Sequence, residues 1–428
     1  MPLDDSILDM AVPDLTQFHR VRELSESLAA PLSPEDWMLQ SMTEASPVKW
    51  HLAHTSWFFE TFILEKYIRD YKRYNEDFNY LFNSYYVRIG DMHPRASRNL
   101  ISRPSAAQVL EYRHHVTSQI MQLCAQLDDK EAVEVAQLLR LGCAHEEQHQ
   151  ELLLTDIKHA LFQNPTGPSA YTCPALPDRV SWDNDAWVEF DGGIVDIGAD
   201  GGEGFNFDNE APHHQVLLKP FALASAPVTN RQYCAFIEAG GYQDPRWWLS
   251  DGWEKVVSQN WRAPLYWCGE GRDRTRYGLF GIEPLNPDAP VSHLSFYEAA
   301  AYAEWAGCRL PTEFEWEYAS GKAAGQGTQL TQNGPYEPQP AVFQDDGICH
   351  QMFGDVWEWT ASPYTAYPGF RASPGAIGEY NGKFMSSQMV LRGGSCATPA
   401  GHVRGTYRNF FPPAARWQFA GVRLARHL

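Results

Sequence analysis

Two imidazoles one helical turn apart are the sharpest chemical signal in the chain. His145-Glu-Glu-Gln-His149 sets the pair at i and i+4 on one helical face, where both rings can reach a single metal ion. The same five residues fit H-E-x-x-H, in which two histidines hold zinc and the glutamate, here Glu146, serves as general base. A second histidine-bearing stretch, Trp50-His-Leu-Ala-His-Thr-Ser-Trp57, supplies a third ligand. His51 and His54 are both candidates, and His54 fits a surface or supporting role equally well. Three neutral imidazoles leave coordination positions open for substrate and oxygen, and by ligand type suit Zn, Fe, Cu or Ni alike.

These residues need rigid helices to position them. Apolar residues recur at three- and four-residue spacing over Leu15–Leu28, Pro47–Tyr67, Ala106–Leu127 and Lys130–Gln163, which predicts four long amphipathic helices in a bundle. A bundle core is where facing helices build metal sites. Ser33-Pro-Glu-Asp and Ser46-Pro read as helix starts, each with a capping serine and a proline in the first turn. Tyr80–Gly90 is rich in aromatics and too irregular to assign. Proline and glycine then punctuate Asn164–Pro174, and residues 166–180 read as a linker between a domain over 1–165 and another over 181–428. Beyond it short strand-like runs (Trp187–Phe190, Gln215–Leu218, Val390–Arg392, Gly421–Leu424) alternate with turn residues. Only Asn230–Ala239 and Ser295–Ala306 read as clear helices there.

At 428 residues the chain exceeds one ordinary core, so several domains are expected. Its formal charge of −19 repels phosphate backbones and argues against a nucleic-acid partner. No run reaches the roughly 20 apolar residues of a membrane span. The acidic start, Met1-Pro-Leu-Asp-Asp, lacks the features of a secretory signal, so a cytoplasmic location is expected. The eight cysteines form no CxxC pair, which removes zinc-ribbon and dithiol chemistry. Fifteen tryptophans point to a loop-rich domain held together by large side chains.

The first half resembles the DinB-like four-helix bundles, whose metal triad is one histidine on an early helix plus HxxxH on a late one, a pattern that His51, His145 and His149 match. The second half is similar to the formylglycine-generating, sulfatase-modifying fold, a C-type-lectin-like domain. It carries Pro290–Gly307, Arg309-Leu-Pro-Thr-Glu-Phe-Glu-Trp-Glu-Tyr-Ala319, Gly354-Asp-Val-Trp-Glu-Trp359, Leu391-Arg-Gly-Gly-Ser395 and Gly421-Val-Arg-Leu-Ala425 in the family's order. The catalytic cysteine pair of the formylglycine enzyme has no counterpart. An α+β multidomain protein is therefore expected. The union of the two domains resembles the ergothioneine-biosynthesis sulfoxide synthases, as do Leu81-Phe-Asn-Ser-Tyr-Tyr86, Ser102-Arg-Pro-Ser105, the run from His145 to Asp156 and Tyr407-Arg-Asn-Phe-Phe-Pro-Pro413.

That resemblance implies an oxidoreductase that uses Fe(II) and O2 to join a thiol to C2 of the imidazole of hercynine (trimethylhistidine), forming a sulfoxide. It implies that Tyr85 and Tyr86 donate protons or hydrogen atoms, and that Gln148 hydrogen-bonds the substrate directly or through water. Asn409, Phe410 and Phe411 stand at substrate-binding positions, aromatic faces being suited to a permanent trimethylammonium. Arg88, Arg95 and Arg103 are candidates to grip carboxylates. Phe411 stands where the γ-glutamylcysteine branch has an aspartate, so the resemblance favours free cysteine as donor. Val87-Arg88 departs from the Glu-Ala of the cysteine branch and keeps open the sister family of selenoneine synthases, which attach selenium from a selenosugar. Two readings of other classes remain beside it: a zinc hydrolase of HExxH type and a non-catalytic binding module.

Overall fold

The computed structural model describes residues 12–172, 174, 186–201, 204–323, 327–341, 347–372, 378 and 381–428. They cluster into two compact units. One lies within Met1–Asn164, Gly202–Phe207 and Ala372–Tyr380, the other within Pro165–Gly201, Asp208–Arg371 and Asn381–Leu428. The linker and second-domain start expected at 166–180 and 181 fall partly outside the described residues, at 173 and 175–185.

The first unit is built on four helices: α1 (Leu15–Ala29), α2 (Val48–Phe59), α3 (Ala106–Cys124) and α4 (Asp129–Phe162). Local chemistry sets their starts. Asp14 caps α1 by accepting the Gln17 N–H, Ser105 and Gln108 form a reciprocal capping box on α3, and Asp128 accepts from Lys130 and Glu131 at the head of α4. The α1 stripe Phe18, Val21, Arg22, Ser25 and Leu28 is buried at helical spacing, whereas every residue of α2 is buried, so α2 is the central helix. It packs against both α3 and α4. Gly142 on α4 permits that closeness, since a Cβ there would lie 2.3 Å from the Phe59 ring.

The expected helix over Pro47–Tyr67 is less regular than its pattern. Past Phe59 the chain makes a five-residue π-helical segment, Glu60–Leu64, before Glu65–Tyr67. There Glu60 turns inward and accepts from the hydroxyls of Tyr71 and Tyr112 and from Tyr74 N. The two proline-based helix starts also resolve differently. Ser33-Pro leads only to a 3-10 turn, Asp36–Met38. Pro47 itself is the N-cap residue of α2, and the Ser46 hydroxyl accepts from Arg98 instead of capping the helix. The irregular aromatic segment contains one short helix, Phe78–Phe82, followed by turns.

Among its described residues the second unit holds four small sheets. The strands are β1 (Trp187–Phe190), β2 (Gly193–Ile197), β3 (His214–Leu218), β4 (Phe221–Ala224), β5 (Trp267–Cys268), β6 (Thr275–Gly278), β7 (Gly281–Pro284), β8 (Trp357–Pro363), β9 (Met389–Arg392), β10 (Asn409–Phe411), β11 (Ala420–Gly421) and β12 (Ala425–His427). Their orders are β1-β4-β12, β10-β9-β8-β11, β2-β3 and β5-β6-β7, with β11 parallel to β8. The expected strand Gly421–Leu424 is in fact two ends in two sheets, because the chain leaves β11 and joins β4 as β12 while Arg423 turns inward onto Glu358. Helices α5 (Asn230–Glu238) and α7 (Phe296–Trp305) match expectation. The structure adds α6 (Ser250–Ser258) and α8 (Glu313–Ser320). Trp316 of α8 and Phe190, Phe221, Leu223 and Met352 form the core of this unit. No helix among the described residues is long and apolar enough to cross a membrane.

Candidate metal centre

One nitrogen from each of His54, His145 and His149 lies within 4.8 Å of the other two, on α2 and α4 of the bundle. His145 Nε2 and His149 Nε2 are 3.1 Å apart. Adjacent ligands of one ion stand about 3.0–3.4 Å apart when each bond is about 2.1 Å, so the spacing suits a shared metal. His54 directs Nδ1 at the Phe82 carbonyl, 2.6 Å away at the open end of the short helix, and its buried Nε2 has no hydrogen-bond partner among the described residues. That leaves Nε2 as an in-plane lone pair beside two other imidazoles. The donor set fits a divalent ion.

Electrostatics agree. Burial pushes the His54 and His149 imidazoles well below their ordinary pKa, helped by neighbouring histidines, and burial pushes His145 down to about 3. All three are thus neutral near pH 7, the form that binds metal. The His54 ring is also clamped in place. Trp50 stacks on it at 4.4 Å and Trp57 lies nearly parallel at 5.5 Å, while Phe58 packs on His145 at 4.7 Å.

This differs from the expected triad in one member. His51 uses both its nitrogens elsewhere: Nε2 is 3.1 Å from Asp156 Oδ2 and Nδ1 is 2.8 Å from His149 Nδ1. Three residues further along α2, His54 presents the lone pair that the cluster needs. The sequence carried a clue, for Trp50 and Trp57 stand at i−4 and i+3 of His54 and so share its face.

Glu146, the second residue of the HExxH pattern, faces away into the bundle. Its carboxylate accepts from Ser25 Oγ (2.6 Å), Arg113 Nη2 (2.8 Å) and Arg22 Nη1 (2.9 Å). Burial would raise its pKa, but Arg113 and Arg22 prevail and hold it down at about 2. Such a group takes no proton from water at neutral pH, which removes the base that a zinc hydrolase would require.

Around the histidines, Tyr86 is fully buried and packs on Trp57, Phe58 and Phe62. Tyr85 is half-buried beside it, its phenol pKa raised by burial. Asn83 fixes this turn by donating to the carbonyls of Tyr86 and Gly90. Gln148, just before His149, is half-buried. The three arginines expected to grip carboxylates are all exposed. Arg88 is exposed, Arg95 bonds the Glu44 carbonyl, and exposed Arg103 bonds the Ser102 carbonyl.

Arg98 is the guanidinium that sequence reasoning missed. It is buried, stacks 3.4 Å over the Trp50 ring that itself covers His54, and bonds the hydroxyls of Ser46 and Ser84. No carboxylate pairs with it among the described residues, and Nε has no partner. Burial, then the charge of Arg95, pushes its pKa down to about 9.

In the second unit Asn409–Phe411 form β10. Phe410 stacks on Tyr364 at 4.0 Å, Phe411 meets Trp417 edge-on, and Asn409 Oδ1 accepts the Phe410 N–H.

A DinB superfamily model matches residues 17–153, and a sulfatase-modifying factor enzyme 1-like domain matches 174–342 and 336–428. The fold is therefore a DinB-like bundle followed by a sulfatase-modifying-factor-like domain, an α+β multidomain architecture. The hercynine oxygenase of Mycobacterium tuberculosis is 36% identical over 356 residues, covering 78% of this chain and 81% of the relative. That of Mycolicibacterium smegmatis is 37% identical, covering 67% and 70%. The formylglycine-generating enzyme of Streptomyces coelicolor is 30% identical over 49% of this chain and 77% of its own. The chain belongs to the hercynine oxygenase family and is an oxidoreductase.

Proposed function

We propose that the protein is a cytoplasmic, iron(II)- and O2-dependent enzyme that forms a carbon–sulfur bond and sulfoxide at C2 of the hercynine imidazole, with cysteine as donor. The observation that carries this reading is the convergence of three neutral imidazoles, buried His54 and His145 and half-buried His149, in a chain of the hercynine oxygenase family. Three nitrogen ligands leave open positions, and iron bound there would supply a one-electron partner for oxygen and a template for the substrate.

The protein's own groups have separable tasks. Arg98 is a buried cation lacking a carboxylate partner among the described residues, so a substrate carboxylate would complete it with charge-assisted hydrogen bonds. Tyr86, and Tyr85 beside it, are the phenols able to deliver a proton near the histidines. The aromatic wall of Trp57, Phe58 and Tyr86 excludes water and keeps the imidazoles unprotonated.

Anaerobic incubation with Fe(II) and hercynine, followed by oxygen with cysteine, γ-glutamylcysteine or a selenosugar in parallel, tests this by mass spectrometry of the products. A sulfoxide with cysteine and little with γ-glutamylcysteine is expected. Product from the selenosugar alone would move the protein to the selenoneine synthases, a reading that the Val87-Arg88 departure keeps open. Bound zinc with peptide cleavage would overturn both.

A further inference from the structure

Behind the three-histidine cluster lies a chain of hydrogen bonds that enters no part of the reaction above. Asp156 stands two helical turns beyond His149 on α4. Its Oδ2 already accepts the Ser46 N–H at 2.8 Å and lies 3.1 Å from His51 Nε2. His51 Nδ1 then lies 2.8 Å from His149 Nδ1. All of Ser46, His51 and Asp156 are buried.

With His51 as a neutral imidazole beside a carboxylate, the hydrogen bonds run in one sense. A carboxylate oxygen accepts, so His51 Nε2 carries the proton and donates it to Asp156. A neutral imidazole protonated on Nε2 has only a lone pair on Nδ1, which must accept from His149 Nδ1–H. His149 is thereby fixed as the tautomer whose Nε2 bears a lone pair, and that nitrogen faces His145 Nε2. Reversal of any link would place a proton on His149 Nε2, where a metal has to bind.

We infer that His51 and Asp156 form a positioning relay that presets the tautomer and ring orientation of His149 for metal binding. The inference rests on the metal reading and deepens it. His51 is not a ligand but the group that makes His149 one. Carboxylate-backed histidines of this kind raise ligand basicity and commonly contribute 10–100-fold to metal affinity.

The test uses the full chain and Co(II) or Fe(II) alone, with affinity read by chelator competition. His51→Phe, which keeps the ring and removes the acceptor, is expected to weaken binding roughly 10–100-fold. His51→Asn, which can return an oxygen acceptor near the Nδ1 position, is expected to recover most of it. Nitrogen NMR of the metal-free protein should find His149 as a single Nδ1–H tautomer in the wild type and as a mixture in His51→Phe, a change that a merely structural role would not produce. Asp156→Leu breaks the other end and should weaken binding in the same direction, which keeps the inference testable should His51→Phe not fold. Wild-type affinity in these variants overturns the relay while sparing the metal reading. Loss of all metal in His51→Phe, equal to that in His54→Ala, would make His51 a ligand and overturn it as well. A wild-type chain that takes up neither ion overturns both.

Discussion

Two neighbouring residues on α4, His145 and Glu146, have opposite fates because they lie on different faces. His145 joins the imidazole cluster, while Glu146 is paired with Arg22 and Arg113 inside the bundle. Removing one partner of a buried ion pair leaves charge without compensation, so Glu146→Gln is expected to destabilise the fold by roughly 3–5 kcal/mol. Denaturant unfolding checks this, and metal content of the folded fraction should be unchanged. The same carboxylate predicts a pH dependence. Its folded pKa of about 2 lies below its ordinary value of 4.5, so the folded state favours the charged form. The contribution is fully present above 4.5, worth roughly 3 kcal/mol, and is lost as pH falls from 4.5 towards 2. Acid titration of stability should therefore be steeper in that window for the wild type than for Glu146→Gln. For Arg98, Arg98→Met should keep the metal while raising KM for hercynine or donor at least tenfold; unchanged KM for both would remove its proposed role.

At the scale of the element, α2 and α4 position the cluster by packing closely. Gly142→Ala would drive a methyl into the fully buried Phe59 ring, and a cost of about 1–3 kcal/mol is expected in thermal unfolding, against a gain were the site open. Much of this was legible beforehand. Periodicity gave α1, α3 and α4 within a few residues, while the stretch expected to run to Tyr67 leaves the α-helix at Phe59, and the i, i+4 spacing gave His145 and His149. What stayed hidden depends on tertiary contact. His51 and His54 are one turn apart on a helix buried on every side, so no polar face distinguished them. The choice came from Asp156, a hundred residues away in sequence, which engages one, and from the Phe82 carbonyl, which orients the other. Arg98 was missed for the same reason, since nothing local says that an arginine in a 3-10 turn will lie buried on Trp50. Also missed were α6, which is no shorter than α5, and α8, although the Thr312–Glu315 capping box that starts α8 was present to read.

Across the whole molecule, fully buried arginines recur in both units, each tied to a buried carboxylate. Arg113 pairs with Glu146 in the bundle, and in the second unit Arg392 and Arg408 meet Glu313 while Arg423 meets Glu358. Glu358 also accepts from Trp316 Nε1, so one carboxylate ties β8 to α8 and to the link between β11 and β12. Loop-rich architecture with short strands is held by such ties and by stacked aromatics more than by long ladders. Glu358→Gln is accordingly expected to cost about 3 kcal/mol or more in denaturant unfolding. The central claim concerns the ion itself. Crystals soaked anaerobically in Fe(II) and measured at the iron absorption edge test it most directly. The account predicts one anomalous peak per chain, bonded at about 2.1 Å to nitrogens of His54, His145 and His149. A peak bonded to His51, or none at these histidines, would contradict it.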